Sequence, residues 1–246
     1  MNGYAVLAPI YDELTRNVGY RRRAAYVHRW FKKNKVSGIV LDAGCGTGTL
    51  ALLLAGRGYD LIAADISEEM LGMAAAKAAA TGAKIQFIKQ DLAELDLYGT
   101  VSGIVCMQDT LNHLGGGLPE AIRRFSLFLE PGGMLICDIN TPYKHAEILG
   151  NNTFRFPFRG GECRWSNQYD PAEGRLALTI EMIENSRTAK EVIARDVFDE
   201  YDIDPANFEA MLHAAGLKVI KKLDGERYRL VRANTQRVLY AARKNG

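Results

Sequence analysis

Cysteine is scarce in this chain. Cys45, Cys106, Cys137 and Cys163 stand far apart with no C-x-x-C pairing, so neither a disulfide framework nor a zinc site is expected and the thiols are read as reduced. Long apolar runs are missing too. No uninterrupted stretch approaches the ~20 residues needed to cross a bilayer. The start, MNGYAVLAPIYDELT, carries no basic segment followed by an apolar core and a small-residue cleavage site. The expected compartment is therefore the cytoplasm, with no membrane partner. An excess of one charge sign is also lacking: the formal charge is +2, with 48% hydrophobic and 24% charged residues, the balance of a globular domain and not of a disordered chain. At 246 residues, one α/β domain with an appendage is the natural size class.

The charge that is present is unevenly spread. Residues 1–36 hold eight Lys and Arg against two acids, leaving the remainder at −4. Such asymmetry is a feature of nucleic-acid binders, but no aromatic stacking pattern is interleaved with the charges. Arg21, Arg22, Arg23, Lys32, Lys33 and Lys35 are read instead as the solvated face of an amphipathic helix, and no nucleic-acid partner is expected. Tyr20, Ala24, Val27 and Phe31 supply that helix with an apolar face over residues 19–34. Pro9 suits a first helical turn, so residues 9–14 form a separate short helix. Together these make an N-terminal cap, residues 1–36.

Strands and helices then alternate, the signature of a parallel sheet. Strands are expected at 39–41, 61–64, 85–88, 101–107 and 134–139, with helices at 49–55, 68–80 and 119–129. Gly56 and Gly58 can end the first of these helices in left-handed geometry, and Ser67 can cap the second with Glu68 and Glu69 at its positive end. This core spans residues 37–142. From 143 to 199 the texture changes: Phe154, Phe156 and Phe158 alternate with other residues, as do Leu176, Leu178, Ile180 and Met182. The stretch Asp170-Pro171-Ala172-Glu173-Gly174 supplies turn chemistry. An antiparallel β insertion is expected. The core resumes at 200–246, where Asp204 caps a helix begun by Pro205, and strands near 217–222 and 235–242 complete the sheet.

The informative stretch is Val40-Leu41-Asp42-Ala43-Gly44-Cys45-Gly46-Thr47-Gly48-Thr49-Leu50, between the first strand and the first core helix, where open α/β sheets bind ligands. Glycines let the backbone turn sharply and approach a ligand closely, and a helix start offers amide hydrogens to an anionic group. Asp42 can face a ligand's ammonium. A dinucleotide fingerprint would place a third glycine at position 49, which is Thr49, and no G-K-[ST] follows as a P-loop demands. At the end of the second strand, Asp65 can accept from both hydroxyls of a ribose.

Val40 to Leu50, the stretch Ala64-Asp65-Ile66-Ser67-Glu68-Glu69-Met70-Leu71 and Gln90-Asp91-Leu92 resemble the successive cofactor motifs of class I S-adenosylmethionine (SAM)-dependent methyltransferases. Tyr4-x-x-Leu7-Ala8-x-x-Tyr11-Asp12-x-Leu14 is similar to the N-terminal cap of the small-molecule branch, and Tyr201 to Leu217 to its final helix and strand. The nearest likeness is to bacterial enzymes of glycine N-methyltransferase-like architecture. This resemblance implies a Rossmann-like, seven-stranded, mostly parallel sheet of order 3-2-1-4-5-7-6, with helices on both faces and the seventh strand antiparallel. It also implies SAM as cofactor and S-adenosylhomocysteine as product. Asp42, Gly44, Cys45, Gly46 and Gly48 would surround the methionine portion, and Asp65 and Ile66 the ribose. Met70 would lie against adenine, with Gln90, Asp91 and Leu92 beside it, Met107 near the fourth strand's end, and Tyr4 and Tyr11 closing over the sulfonium.

Methyl transfer is an in-line displacement at an activated carbon, so positioning and desolvation can supply much of the catalysis. Candidates to orient an acceptor follow the fourth strand: Gln108 and Asn112 through hydrogen bonds and His113 as a base. No metal is called for. The N/D-P-P-Y motif of DNA amino-methylating enzymes is absent there, Thr141-Pro142-Tyr143 falling one strand later, and so is a Pro-Cys nucleophile. Both absences favour a small-molecule acceptor, with protein or RNA methylation and a non-catalytic SAM-binding regulator as alternatives. A nicotinamide oxidoreductase is disfavoured by Thr49. The insertion is expected to cover the mouth, with Arg155, Arg159, Arg164, Trp165, Tyr169 and Arg195 as candidate lining for a carboxylate or phosphate. It is equally a candidate surface for a homodimer.

Overall fold

The computed structural model describes residue 4 and residues 6–158, 160–185 and 190–246. Arg159, one of the expected lining residues, lies outside them. The cap comprises a single 3-10 turn at Ala8–Ile10, helix α1 (Tyr11–Leu14), a second 3-10 turn at Arg16–Val18 and helix α2 (Tyr20–Lys33). The expected short helix thus divides, with Pro9 in a 3-10 turn ahead of α1. The core runs β1 (Ile39–Ala43), α3 (Thr49–Ala55), β2 (Asp60–Asp65), α4 (Glu68–Thr81), β3 (Ile85–Lys89), β4 (Val101–Cys106), α5 (Leu118–Phe128) and β5 (Leu129–Asn140). After the insertion come α6 (Pro205–Ala214), β10 (Leu217–Asp224) and β11 (Arg237–Lys244).

The core sheet has the order β10-β11-β5-β4-β1-β2-β3, as the resemblance implied. β11 pairs antiparallel with both β5 and β10, while β1 through β5 are mutually parallel. Side chains alternate between the two faces of a strand, and the core divides accordingly. Leu41, Ile104, Leu135, Val238 and Tyr240 pack with Ile122, Phe125 and Phe208 of α5 and α6. Val40, Val105, Ile136 and Leu239 pack on the opposite face with Val27, Phe31, Leu50 and Leu54 of α2 and α3.

The expected caps form. Ser67 Oγ accepts from the Met70 amide at 3.2 Å, and Asp204 Oδ1 from those of Ala206 and Asn207. Two local expectations fail. Gly58 is left-handed at φ +89° but Gly56, at φ −64°, is helical, so α3 ends by one glycine and not two. Arg23 is not on the solvated face: it is 4% exposed and pairs with Asp138 at 3.2 Å.

Between β5 and α6 the chain leaves the core through a helical turn, Lys144–Leu149, and builds a second sheet of order β6-β7-β8-β9. Its strands are β6 (Thr153–Phe158), β7 (Gly161–Asp170), β8 (Arg175–Asn185) and β9 (Lys190–Tyr201), all antiparallel. One face carries Phe156, Phe158, Cys163, Trp165, Ile180, Met182, Ala194 and Phe198, and packs on Leu7, Ala8 and Tyr11 of the cap and Met70 of α4. Register places Arg155 beside Arg164, Arg164 beside Glu181 and Glu181 beside Arg195. Arg155 bonds Glu162 at 2.8 Å and Arg164 bonds Glu181 at 3.1 Å, and Arg195 is exposed. These arginines stand on the face turned away from the cap and do not line an anion pocket, a correction that follows from strand alternation.

Candidate active site

β1, β2 and β4 end on the same edge of the sheet, and the strand order reverses between β1 and β4. That makes the crevice at Asp42 and Gly44 the switch point where open α/β sheets take ligands. The glycine turn there is closed by its own amides. Gly44 and Cys45 both donate to the Ala64 carbonyl at 2.8 and 2.9 Å, Gly48 donates to the Cys45 carbonyl at 2.9 Å, and Gly46 donates to Asp65 Oδ2 at 2.7 Å. These four amides shape the loop, so they are not the donors expected for an anionic group.

Two glycines serve different ends. Gly44 has φ +73°, and a Cβ there would lie 2.3 Å from Thr110 Cγ2, so its smallness admits the segment after β4. Gly46 has φ +53° and would meet within 4 Å only the Tyr11 ring, at 3.9 Å. Of the two, Gly46 is where the backbone lies open to a ligand, beneath an aromatic ring from the cap.

Two carboxylates flank this turn. Asp65 ends β2, and its oxygens accept from the amides of Gly46 and of Ser67, the latter at 2.9 Å. Burial raises its pKa while those amides oppose the shift. Asp42 is 2% exposed, and its Oδ2 has no hydrogen-bond partner. Burial, and then the neighbouring charge of Asp65, push its carboxyl up to about 7. A buried carboxylate with one oxygen unpartnered, beside a second carboxylate, calls for a cation or a strong donor. The ammonium of SAM meets that need, and Asp65 keeps lone pairs free for ribose hydroxyls. The residues present fit the nucleoside.

The other expected contacts fall on both sides of the crevice. Ile66, next to Asp65, is an exposed apolar residue at 42%, suited to the flat face of a base. Asp91 caps its own turn by accepting from the Ala93 amide at 2.8 Å, with Leu92 buried behind it. Gln90 closes a local loop through Asp96. Met70 is buried against Leu7 and Ala8, so its side chain belongs to the cap seam. Met107 is buried with Val105 and Met134 on the α2–α3 face, which removes it from the expected cofactor contacts.

After β4 the chain turns through Gln108 and Asp109, both left-handed at φ 65° and 56°. Two consecutive non-glycine residues in this region carry strain, and a buried network holds them. The Asp109 amide donates to Asp138 Oδ1 at 2.9 Å, Arg237 pairs with Asp138 at 2.8 Å and with Asp109 at 3.3 Å, and Asn140 Nδ2 donates to Asp109 at 2.8 Å. Gln108 Oε1 is buried without a partner. Asn112 is not a free acceptor-orienting amide. Its Nδ2 donates to the carbonyls of Asn140 and Tyr201 at 3.1 and 2.9 Å, and its Oδ1 accepts from the Asn140 amide at 2.8 Å. It ties the crevice to the return strand of the insertion.

His113 is placed differently. Its Nδ1 lies 2.9 Å from the Asp199 carbonyl, which accepts and so fixes the proton there, and Nε2 accepts from the Tyr4 hydroxyl at 3.1 Å. Tyr4 packs on Phe198 at 4.4 Å and edge-on to Tyr11 at 5.9 Å. Cap, crevice and insertion therefore meet in one aromatic cluster. Asp12 joins them: its carboxylate accepts from Thr47 and Lys77, both at 2.6 Å. Sequence reasoning passed over Asp12, although it stands beside Tyr11 in the cap motif.

Known proteins resemble this chain in both sequence and fold. Residues 40–133 match the family model described as a methyltransferase domain. A solved SAM-dependent methyltransferase from Clostridium acetobutylicum is 27% identical, covers 99% of both chains and superposes with a TM-score of 0.87. The matched domain and the shared fold support a class I SAM-dependent methyltransferase. A curated protein of Geobacillus sp. (strain WCH70), named as a methyltransferase, is 32% identical over 155 residues, 61% of this chain and 63% of its own. The chain thus spans a little under two thirds of that relative's length. The fold, insertion included, is shared with SAM-bound CalS10, an amino pentose methyltransferase from Micromonospora echinaspora, at 18% identity, coverage of 96% and 97%, and a TM-score of 0.75.

Proposed function

We propose that this class I chain transfers a methyl group from SAM to a small-molecule acceptor. The observation that carries the reading is the unpartnered, buried Asp42 oxygen beside Asp65 at the open Gly46 turn. The donor supplies an activated methyl on a sulfonium. Asp42 would hold its ammonium, Asp65 its ribose hydroxyls, and Ile66, Asp91 and Leu92 its base. Tyr11 and Tyr4 present aromatic faces to the positive sulfur, and the apolar seam of Leu7, Ala8, Met70, Ile180 and Met182 excludes water.

On the acceptor side, the Tyr4 hydroxyl donates to His113 Nε2, whose ring is oriented by the Asp199 carbonyl, so a proton leaving the acceptor would pass to the Tyr4 oxygen as the Tyr4 proton moves to Nε2. The Tyr4 hydroxyl is pushed well up by burial, and further by the neighbouring carboxylates of Asp109, Glu200 and Asp65. A small acceptor fits a mouth closed by cap and insertion, and CalS10, which shares both, is named for an amino sugar. Protein or RNA methylation remains the alternative with a larger acceptor.

The test is calorimetric titration with S-adenosylhomocysteine, followed by methyl consumption against a panel of amines, phenols, carboxylates and short peptides. Micromolar binding with turnover on a small amine or phenol is expected. Binding without turnover on any of them would favour a regulatory SAM-binding protein, and no binding at millimolar ligand would overturn the reading.

A further inference from the structure

Asp12 takes part in no helix cap and no apolar core, yet it gathers more side-chain donors than the local chain requires. Oδ1 accepts from Thr47 Oγ1 at 2.6 Å and Thr49 Oγ1 at 3.1 Å, and Oδ2 accepts from Lys77 Nζ at 2.6 Å. The Lys77 ammonium completes the array by donating to both threonine hydroxyls, at 3.1 and 2.9 Å. Three separate parts of the chain meet here. Asp12 comes from α1, the threonines flank Gly48 at the end of the glycine turn, and Lys77 comes from α4.

An isolated ion pair at this exposure, 45% for Asp12 and 27% for Lys77, stabilises little. Five hydrogen bonds among four side chains, one of them the buried Thr47, fix geometry instead. Burial works against the Asp12 charge, but the bonds from Lys77 and Thr47 outweigh it and hold the carboxyl below its usual range. What that geometry fixes is the neighbouring residue. Tyr11 carries the one ring within 4 Å of where a Gly46 side chain would stand, and α1 is only four residues long, too short to hold its own orientation.

We propose that Asp12 is a positioning residue for the methyl donor: by clamping α1 to Thr47, Thr49 and Lys77 it keeps Tyr11 over Gly46 and the cap shut while donor or product is bound. The role rests on the reading that the Gly46 turn holds SAM. The clamp must open for the nucleoside to leave, so it sets residence time, and through it the apparent affinity.

Stopped-flow dissociation of S-adenosylhomocysteine from the full chain tests this. Asp12→Asn is expected to speed release about tenfold, the loss of one charge-assisted contact, and to raise KM for SAM in proportion with kcat nearly unchanged. Thr49→Val, which leaves the carboxylate in place, should act in the same direction and more weakly. Lys77→Met combined with Asp12→Asn should be no worse than Asp12→Asn alone, because both break one array. Release from Asp12→Asn within twofold of the unsubstituted protein, or additive effects in the double variant, would overturn the proposal while leaving the donor site standing. Failure of the unsubstituted protein to bind the nucleoside would remove both.

Discussion

Asp65 Oδ2 accepts the Gly46 amide at 2.7 Å, so the carboxylate proposed to face the ribose also sets the curvature of the glycine turn. Replacing Asp65 with Ala therefore removes a ligand contact and a loop restraint together. Affinity for S-adenosylhomocysteine should fall by about a hundredfold, the value of two hydrogen bonds to a charged group. Asp65→Asn, with one acceptor oxygen left, should fall between. Isothermal titration decides: wild-type affinity in the alanine variant would take Asp65 out of the site.

Asp42 is costly to keep ionised in the folded chain, a cost that the proposed ammonium contact would offset. Its native carboxyl is raised to about 7 by burial and then by Asp65, above the ordinary 3.8. The stability this group contributes is complete below about pH 4 and is lost as pH rises through about 7. Asp42→Asn should raise Tm by a few degrees at pH 8, with the gain vanishing near pH 4, and should weaken nucleoside binding. In the unsubstituted protein, affinity should fall as pH drops below about 7. Calorimetry across pH 4–9 on both proteins checks the signs, and a destabilised Asp42→Asn at pH 8 would refute them.

His145 lies between two acids, 2.7 Å from Asp202 and 3.0 Å from Glu200, with its side chain fully buried. Burial pulls its pKa down, but the bonds to Asp202 and Glu200 outweigh burial and bring it to about 9. The stabilisation is complete below about 6.5 and is lost as pH rises through about 9. His145→Gln leaves two carboxylates without their cation and should cost about 3 kcal/mol, read by urea unfolding at pH 7. At pH 10 the difference from wild type should shrink. A constant difference across that range would mean that charge is not the cause.

His113→Gln should lower kcat about a hundredfold if the acceptor arrives protonated, the usual scale of general-base loss, with nucleoside affinity unchanged. Tyr4→Phe should lower kcat to a similar degree, because the Tyr4 hydroxyl occupies the Nε2 lone pair and would carry the proton to it. Equal turnover in His113→Gln would assign that imidazole to packing beside Phe198.

Gly44→Ala meets both a left-handed backbone and the Thr110 side chain, and should destabilise the chain by about 2 kcal/mol or more. Adding Thr110→Ala removes the two nearest atoms and should recover part of that loss. If the pair is no better than Gly44→Ala alone in thermal unfolding, backbone strain dominates over the clash.

Much of this was legible in the sequence because it is local. The alternating strands, the Ser67 and Asp204 caps, the glycine turn and the acid at the end of β2 are each written in a few consecutive residues. What escaped depends on partners far along the chain. Arg23 borders the apolar face of α2, but Asp138, the partner that buries it, is 115 residues away. Asn112 looks available until Asn140 and Tyr201 arrive from β5 and β9. Two-residue alternation gave the insertion two faces without saying which would meet the cap, so its arginines could not be assigned. Asp12 reads as an ordinary first-turn acid until Thr47 and Lys77 come to it.

The second sheet leaves the core after β5 and returns before α6, so one continuous excursion builds most of one wall of the mouth, while the nucleoside contacts proposed above for the main sheet all lie before residue 93. The matched methyltransferase segment, 40–133, ends ahead of that excursion. The proposed donor contacts and the second sheet are thus written in separate lengths of polypeptide, joined physically at the cap seam and the Asn112 tether. A transplanted excursion could redirect such a protein to a different nucleophile while the original methyl source stayed in use.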